Sequence, residues 1–424
     1  MKTASKKVIN GWAMYDWANS VYNLVITTTF FPIYFLAVTD EHLTFLGMKF
    51  LNSALYSYAT AVAFLIVAFT SPILSSIADT RGNKKNFLKF FTLIGSLSCC
   101  TLFFFDHNSL ALGVFAFILA TIGYCGGLVF YNSYLPEIAA PEDRDTVSAK
   151  GFSMGYIGSV ILQLLGFALV LMAEPLGWDG GLPVRITFLL VGIWWLGFAQ
   201  ITFKRLPDSI ASKDAHKGKA ITDGFKELRK VFAQVKQMPV LKRFLRGFFF
   251  YSMGVQTVML AAAIFGDKVL KLPSSNLIFT IVIIQLVAIP GAWLIAKLSG
   301  IFGNLRVLIA VILFWILICI AGYLMTTAIH FYCLATAVGL VMGGIQSLSR
   351  STYAKLMPET TDTASFFSYY DVTEKISIVI GMFTFAYIED VTGNIRFSVL
   401  ALVIFFLIGL IWTYSALKKQ KQGV

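Results

Sequence analysis

The chain has 424 residues; 57 % are hydrophobic, 15 % aromatic and only 13 % charged, with a mean hydropathy of +0.76. A soluble domain carries roughly 25 % charged residues, so this composition excludes a disordered chain, a soluble multi-domain enzyme and a secreted disulfide scaffold, and it requires lipid around the surplus apolar surface. The net charge of +12 would suggest nucleic acid in a soluble chain, but its distribution assigns it to membrane topology instead.

Lys2, Lys6 and Lys7 precede an aromatic-rich stretch with Trp12, Tyr15 and Trp17. A signal peptide also opens with positive charge. Here the apolar run extends to Val38 without a small-residue cleavage site, so it reads as a retained first span. One span takes about 20 apolar residues. Apolar runs fall at 17–38, 54–78, 87–105, 109–131, 152–173, 184–203, 244–266, 275–296, 307–325, 330–349, 366–388 and 395–416, which makes twelve. The segments 1–16, 79–90, 132–150, 204–246, 297–306, 350–355 and 418–421 hold 28 Lys and Arg. The alternate segments hold five: Lys49, Arg185, Lys268, Lys271 and Arg396. By the positive-inside rule both termini are cytoplasmic, and the basic excess is topology, with no nucleic-acid partner.

Cys99, Cys100, Cys125, Cys319 and Cys333 lie in or at the ends of apolar runs and form no CxxC pair. His42, His107, His216 and His330 stand singly, and no GxxxxGK[ST] string occurs. No metal, nucleotide or other cofactor is implied. The absence of Asn-x-Ser/Thr sequons agrees with a bacterial inner membrane.

The segment 204–243 is the only long loop. It divides a six-span half at 1–203 from a second at 244–424. Within it Ile221, Phe225, Leu228, Phe232, Val235 and Met238 recur at helical spacing, with Lys226, Arg229, Lys230 and Lys236 between them. That pattern predicts a basic amphipathic helix at the membrane surface, either regulatory or a plain linker. An internal repeat supports the division. Tyr131-x4-Pro136-Glu137 matches Tyr353-x4-Pro358-Glu359, and Asp145-Thr-Val-Ser148 matches Asp362-Thr-Ala-Ser365, at offsets of 222 and 217 residues. Glycine doublets precede both copies (Gly126-Gly127 and Gly343-Gly344).

The loop after the second run reads Ser75-Ser-Ile-Ala-Asp79-Thr-Arg81-Gly82-Asn-Lys84-Lys85. It resembles the major facilitator signature G-x-L-A-D-[RK]-x-G-[RK]-[RK]. Ser75 replaces the first Gly and Asn83 a basic residue; 296–306 holds a degenerate copy. An acid at a helix end can cap a neighbouring helix, and the basic residues can bridge to carboxylates, so Asp79 and Arg81 are candidate gate residues. The alternative is ordinary positive-inside charge.

A narrower resemblance follows from Trp12-Ala-Met-Tyr-Asp16-Trp-Ala-Asn19-Ser20 and Thr28-Thr-Phe-Phe-Pro32-Ile-Tyr34, with Leu135-Pro-Glu137, Gly254-Val-Gln256-Thr257, Gly344-Ile-Gln346-Ser-Leu-Ser349-Arg350 and Phe366-Phe367 with Lys375. These stretches are similar to the autophagy-related vacuolar permeases and their bacterial relatives, over about residues 10–390. The resemblance implies an all-α transmembrane, twelve-helix major facilitator fold in two six-helix halves with pseudo-two-fold symmetry. The eukaryotic members export amino acids from the vacuole, which implies an amino-acid-like substrate. One departure matters: that family's seventh span usually carries Asn-Asp before Gly254, where Ser252-Met253 stand here. If that acid couples ions in relatives, coupling here has moved elsewhere or is absent.

In the first span Asp16, Asn19, Ser20, Asn23 and Thr27 fall three or four apart and share one face of a regular helix. A polar stripe in lipid faces protein or a water cavity. The resemblance places runs one, four, seven and ten around the central cavity, where Tyr22, Asn23, Tyr124, Tyr131, Asn132, Tyr251, Ser252, Gln256, Gln346 and Ser349 are polar. Helix-packing hydrogen bonds are the alternative role for each. In run eleven, Asp371, Glu374 and Lys375 lie roughly 10–16 Å into a helix starting near Ala364. Asp371 and Lys375 are spaced for an i,i+4 pair. Glu374 points about 100° away from Lys375 and needs another partner. The substrate-binding candidates are thus Asn19, Tyr22, Asn23, Gln256, Gln346 and Lys375. The coupling candidates are Glu374, Asp371 and Asp16. Arg350 at the end of run ten pairs either with a substrate carboxylate or, at the gate, with Glu137 or Glu359.

The expected function is secondary transport of a small polar solute, amino acids first, by a monomer in a lipid bilayer, with protons as the coupling ion. The alternative within transporters is an exporter of amphiphilic compounds or lipids. A receptor or scaffold would need a binding domain for which no loop leaves room, and an enzyme would need a clustered catalytic set, which is lacking.

Overall fold

The computed structural model describes residues 2–209, 220–272 and 274–422. Contacts group the chain into two units, one of Ser5–Ser133 with Met154–Gly224 and one of Met1–Ala4, Tyr134–Ser153 and Phe225–Val424.

The first unit opens with α1 (Lys6–Val21), a π-helical stretch (Tyr22–Phe30) and α2 (Phe31–Val38), which together form one span. A hairpin of β1 (His42–Phe45) and β2 (Met48–Leu51) follows, the only sheet among the described residues. Then come α3 (Asn52–Arg81), α4 (Lys84–Thr101) and α5 (Leu110–Ser133). The short α6 (Leu135–Ile138) and the first turns of α7 (Arg144–Met172) belong to the second unit; the rest of α7 and α8 (Leu182–Arg205) return to the first. From Phe225, within α9 (Ala220–Gln237), the second unit continues with α10 (Pro239–Leu270), α11 (Ser274–Phe302), α12 (Asn304–Leu324), α13 (Ala328–Leu356), α14 (Thr363–Thr392) and α15 (Ile395–Lys421).

Ten helices among the described residues are long and apolar enough to cross a bilayer. The two remaining long helices, α10 with 32 residues and α14 with 30, complete twelve. α14 falls short in apolarity because it carries Asp371, Glu374 and Lys375, whereas α10 confines Lys242, Arg243 and Arg246 to its first turns and runs without charge over 247–266. A span that holds buried charge is shielded by neighbouring helices rather than by lipid.

Helix ends follow the local sequence. Gly82 stops α3 with a φ of +64°, its amide and that of Asn83 bonding back to Asp79 and Ala78, the left-handed C-terminal cap that glycine fills without strain. Gly303, 221 residues later, separates α11 from α12 with a φ of +87° but a ψ of +145° against +32° at Gly82, so the degenerate signature copy keeps a positive-φ glycine and not the left-handed cap. Small residues set the helix spacing. A Cβ at Gly123 would lie 2.4 Å from the Gly95 Cα, and one at Gly291 would lie 2.2 Å from the Leu340 carbonyl. These α4–α5 and α11–α13 contacts are therefore backbone to backbone.

The linker expectation is partly testable. Residues 210–219, with His216, and the side chains of Ile221, Phe225 and Leu228 lie outside the described residues, as does that of Lys268. Val231 and Val235 of α9 are buried, whereas Phe232 is exposed with its ring 6.3 Å from Tyr369. Lys230 bridges to Asp362 at 3.4 Å, so α9 docks on the start of α14.

Candidate transport site and gate

In the second unit the costly charges of α14 form one cluster. Lys375 Nζ lies 3.1 Å from Asp371 Oδ1 and 3.5 Å from Glu374 Oε2. Gln256 of α10 donates from Nε2 to Glu374 Oε1 at 3.1 Å. Asp371 and Lys375 are 4 % and 5 % exposed, about 12–18 Å along α14 from its start. The expectation that Glu374 turns away from Lys375 is corrected: the flexible lysine stem reaches sideways, and Gln256 supplies the second partner. Gln256 comes so close because Gly381, two turns beyond Glu374, lies against α10, where a Cβ would meet Thr257 Oγ1 at 2.6 Å. Two carboxylates share one ammonium, and Asp371 Oδ2 is buried without a hydrogen-bond partner among the described residues. Such a site can take a proton or the amino group of a solute, and offers Lys375 to an anionic group. Tyr251 and Ser349 bond at 2.7 Å, and Gln346 Nε2 lies 3.4 Å from Met259 Sδ, tying α13 to α10.

In the first unit the expected stripe is bent out of register by the π-helical stretch. Thr28 and Thr29 both donate to the Leu24 carbonyl, at 2.8 and 2.9 Å, and the Thr27 carbonyl accepts from Tyr56 at 3.1 Å. Pro32, one turn on, offers no amide to the preceding turn. These substitutes for the α-helical ladder leave a stretch of the type that recurs at functional sites. Asp16 accepts from Tyr131 at 2.7 Å, and Tyr22 bonds Thr121 at 2.6 Å. Asn19 is fully buried with neither amide atom partnered among the described residues, while Asn23 is half-buried. A buried unsatisfied amide is costly, so Asn19 carries a desolvation cost that no partner among the described residues offsets. Asp16, by contrast, belongs to a packed set: Trp12 stacks on Tyr131 at 4.5 Å and donates to its carbonyl at 3.0 Å.

The two repeat motifs embrace reciprocally within the second unit. Glu137, from the first Tyr-x4-Pro-Glu, accepts from Thr363 of the second Asp-Thr-x-Ser at 2.6 Å. Asp145, from the first Asp-Thr-x-Ser, pairs with Lys355 of the second Tyr-x4-Pro-Glu at 2.6 Å. Asp145 also accepts from Ser299 at 2.8 Å and from Asn304 at 2.7 Å. Arg350 donates to the Ser148 hydroxyl and carbonyl, each at 2.9 Å, and stacks over Phe152. Arg144 donates to the Ala354 carbonyl at 2.6 Å. Residues 134–153 are thus clasped by α11, α13 and α14. In the first unit Asp79 and Lys84 form a buried pair at 3.1 Å, while Arg81 is exposed and has no side-chain partner among the described residues. Lys85 holds the exposed Asp208 at 2.7 Å and keeps its carboxyl below the usual carboxylate range.

Sequence reasoning missed Lys355, Ser148, Thr363, Ser299 and Asn304 as partners of Asp145, Arg350 and Glu137. Lys355 counted only as topological charge, although the repeat that contains it was the available signal.

Comparison with known proteins agrees with this architecture. The family described as "Vacuole effluxer Atg22 like" matches residues 4–423. The MFS-type transporter YxiO of Bacillus subtilis is 32 % identical over 406 residues, covering 95 % of this chain and 93 % of that one. Autophagy-related protein 22 of Eremothecium gossypii is 24 % identical, covering 100 % and 93 %. The fold is that of the Escherichia coli fucose:proton symporter FucP, with a TM-score of 0.70 at 14 % identity and 97 % coverage of both chains. The chain belongs to the Atg22-like family, and is a twelve-helix major facilitator transporter of a membrane, not an enzyme.

Proposed function

We propose that this protein moves small zwitterionic solutes, amino acids first, by alternating access as a proton-coupled monomer. The observation that carries the reading is the Asp371–Lys375–Glu374–Gln256 cluster. It offers a cation and two acids at one depth, the complement of an α-carboxylate and an α-ammonium. In the second unit Lys375 and Gln256 bind the solute with Gln346; in the first unit Asn19, Tyr22 and Asn23 are the candidate solute contacts. Glu374 and Asp371 exchange the proton, with Asp16 the weaker candidate. Both termini face the cytoplasm of a bacterial cell, by the basic-residue asymmetry. The clasp of Glu137, Asp145, Arg350 and Lys355 then closes the cytoplasmic side and opens during the cycle, while Asp79 and Arg81 serve the same side. The linker 204–243 joins the halves 1–203 and 244–424.

The test is thermal stabilisation of the purified protein by amino acids, dipeptides, sugars, nucleosides and amphiphiles. A ligand at 100 times its Kd adds about 2.7 kcal/mol. Stabilisation by amino acids that Lys375→Ala removes supports the reading; stabilisation by amphiphiles alone supports an exporter.

A further inference from the structure

We propose that the β1–β2 hairpin is a membrane anchor, its apolar face inserted among the lipid chains of the leaflet opposite the N-terminus. The pairing is Leu43 with Phe50 and Phe45 with Met48 on one face, and His42 with Leu51 and Thr44 with Lys49 on the other. Cross-strand partners share a face, so the first face is wholly apolar and the second mostly polar. A water-exposed loop has no need of that segregation.

The base is fixed. The Asn52 amide donates to the Glu41 carbonyl at 3.0 Å, and the Asn52 side chain reaches the Thr39 hydroxyl at 3.3 Å. From there two rings of the hairpin reach the helices. The Phe45 ring lies 5.9 Å from Phe115 and the Phe50 ring 5.9 Å from Tyr58. Phe115 is five residues into α5 and Tyr58 six residues into α3, about 7–9 Å below the helix starts. Both rings are exposed on spans, so they belong to the lipid-facing flank, and the apolar hairpin face continues that flank. Beyond them Leu46 and Met48 are 72 % and 58 % exposed. Asp40 and Glu41 stay at the base. Leu46 and Gly47 both have positive φ, +50° and +80°, a turn that Asn-Gly fills without strain. A leucine at that tip is at home in hydrocarbon and misplaced in water.

The experiment reconstitutes the full chain in phosphatidylethanolamine–phosphatidylglycerol vesicles. A lipid-soluble diazirine and, separately, hydroxyl radicals in the water phase label the protein, read residue by residue by mass spectrometry. The expected result is diazirine labelling of Leu46 and Met48 to the level of Phe115, with Met48 oxidised about tenfold more slowly than His42 despite its more reactive thioether. Rapid oxidation of Met48 with no diazirine label above that of Glu41 would place the hairpin in water and overturn the proposal. Protection from both reagents would place it against protein, such as a second copy, and would equally overturn it.

Discussion

The clasp around Asp145 gives the sharpest prediction. Asp145→Asn keeps the shape and removes the charge. The carboxylate now accepts from Lys355, Ser299 and Asn304 at 2.6–2.8 Å. Hydrogen bonds to a charged group contribute about 1.5–3 kcal/mol each, against about 0.5–1.5 for neutral ones. An asparagine has one acceptor oxygen for three donors, and its own amide opposes Lys355. Lys355 is 23 % exposed, so water compensates part of the loss, and the net cost is about 2–3 kcal/mol. Opening of the clasp is then favoured roughly 30- to 160-fold. Hydrogen exchange over residues 134–153 reads this opening directly, with α4 as the internal control. Exchange there should rise at least tenfold while α4 is unchanged. A rise of less than threefold would refute the assignment of Asp145 as the linchpin.

Glu374→Gln is expected to abolish solute accumulation driven by a proton gradient while leaving solute exchange intact; unchanged accumulation would remove Glu374 from coupling. Gly123→Ala forces α5 off the Gly95 backbone and should cost about 1–3 kcal/mol, seen as a Tm several degrees lower. Gly300→Ala, where a Cβ meets nothing within 4 Å, should instead raise stability by about 0.5–1 kcal/mol. Tyr131→Phe removes the 2.7 Å bond to Asp16 and should destabilise by about 1.5–3 kcal/mol; an unaltered melting curve would show that Asp16 does not depend on it.

Membrane spans are legible because lipid forces long apolar helices. The start expected near Ala364 and the observed Thr363 differ by one residue, and the i,i+4 pairing of Asp371 with Lys375 follows from helix geometry alone. Glu374 was harder, since its partners are a lysine stem that leans sideways and Gln256 from another helix. The π-helical stretch was invisible because its register is fixed by Tyr56 and Gln163, remote in sequence, through the Thr27 carbonyl and the Thr29 hydroxyl. The hairpin was hidden because four-residue strands carry too few alternations to stand out beside apolar spans. The repeat was legible, yet its meaning was not. Similarity along the chain announces duplication, whereas only packing reveals that Lys355 meets Asp145 and Thr363 meets Glu137.

The most direct measurement is uptake of radiolabelled amino acids into proteoliposomes containing only this protein, with an imposed proton gradient. Saturable, gradient-dependent flux, abolished by Lys375→Ala and uncoupled by Glu374→Gln, is the predicted result. Flux of amphiphiles but no amino acid, or amino-acid flux indifferent to both substitutions, would contradict the proposed site.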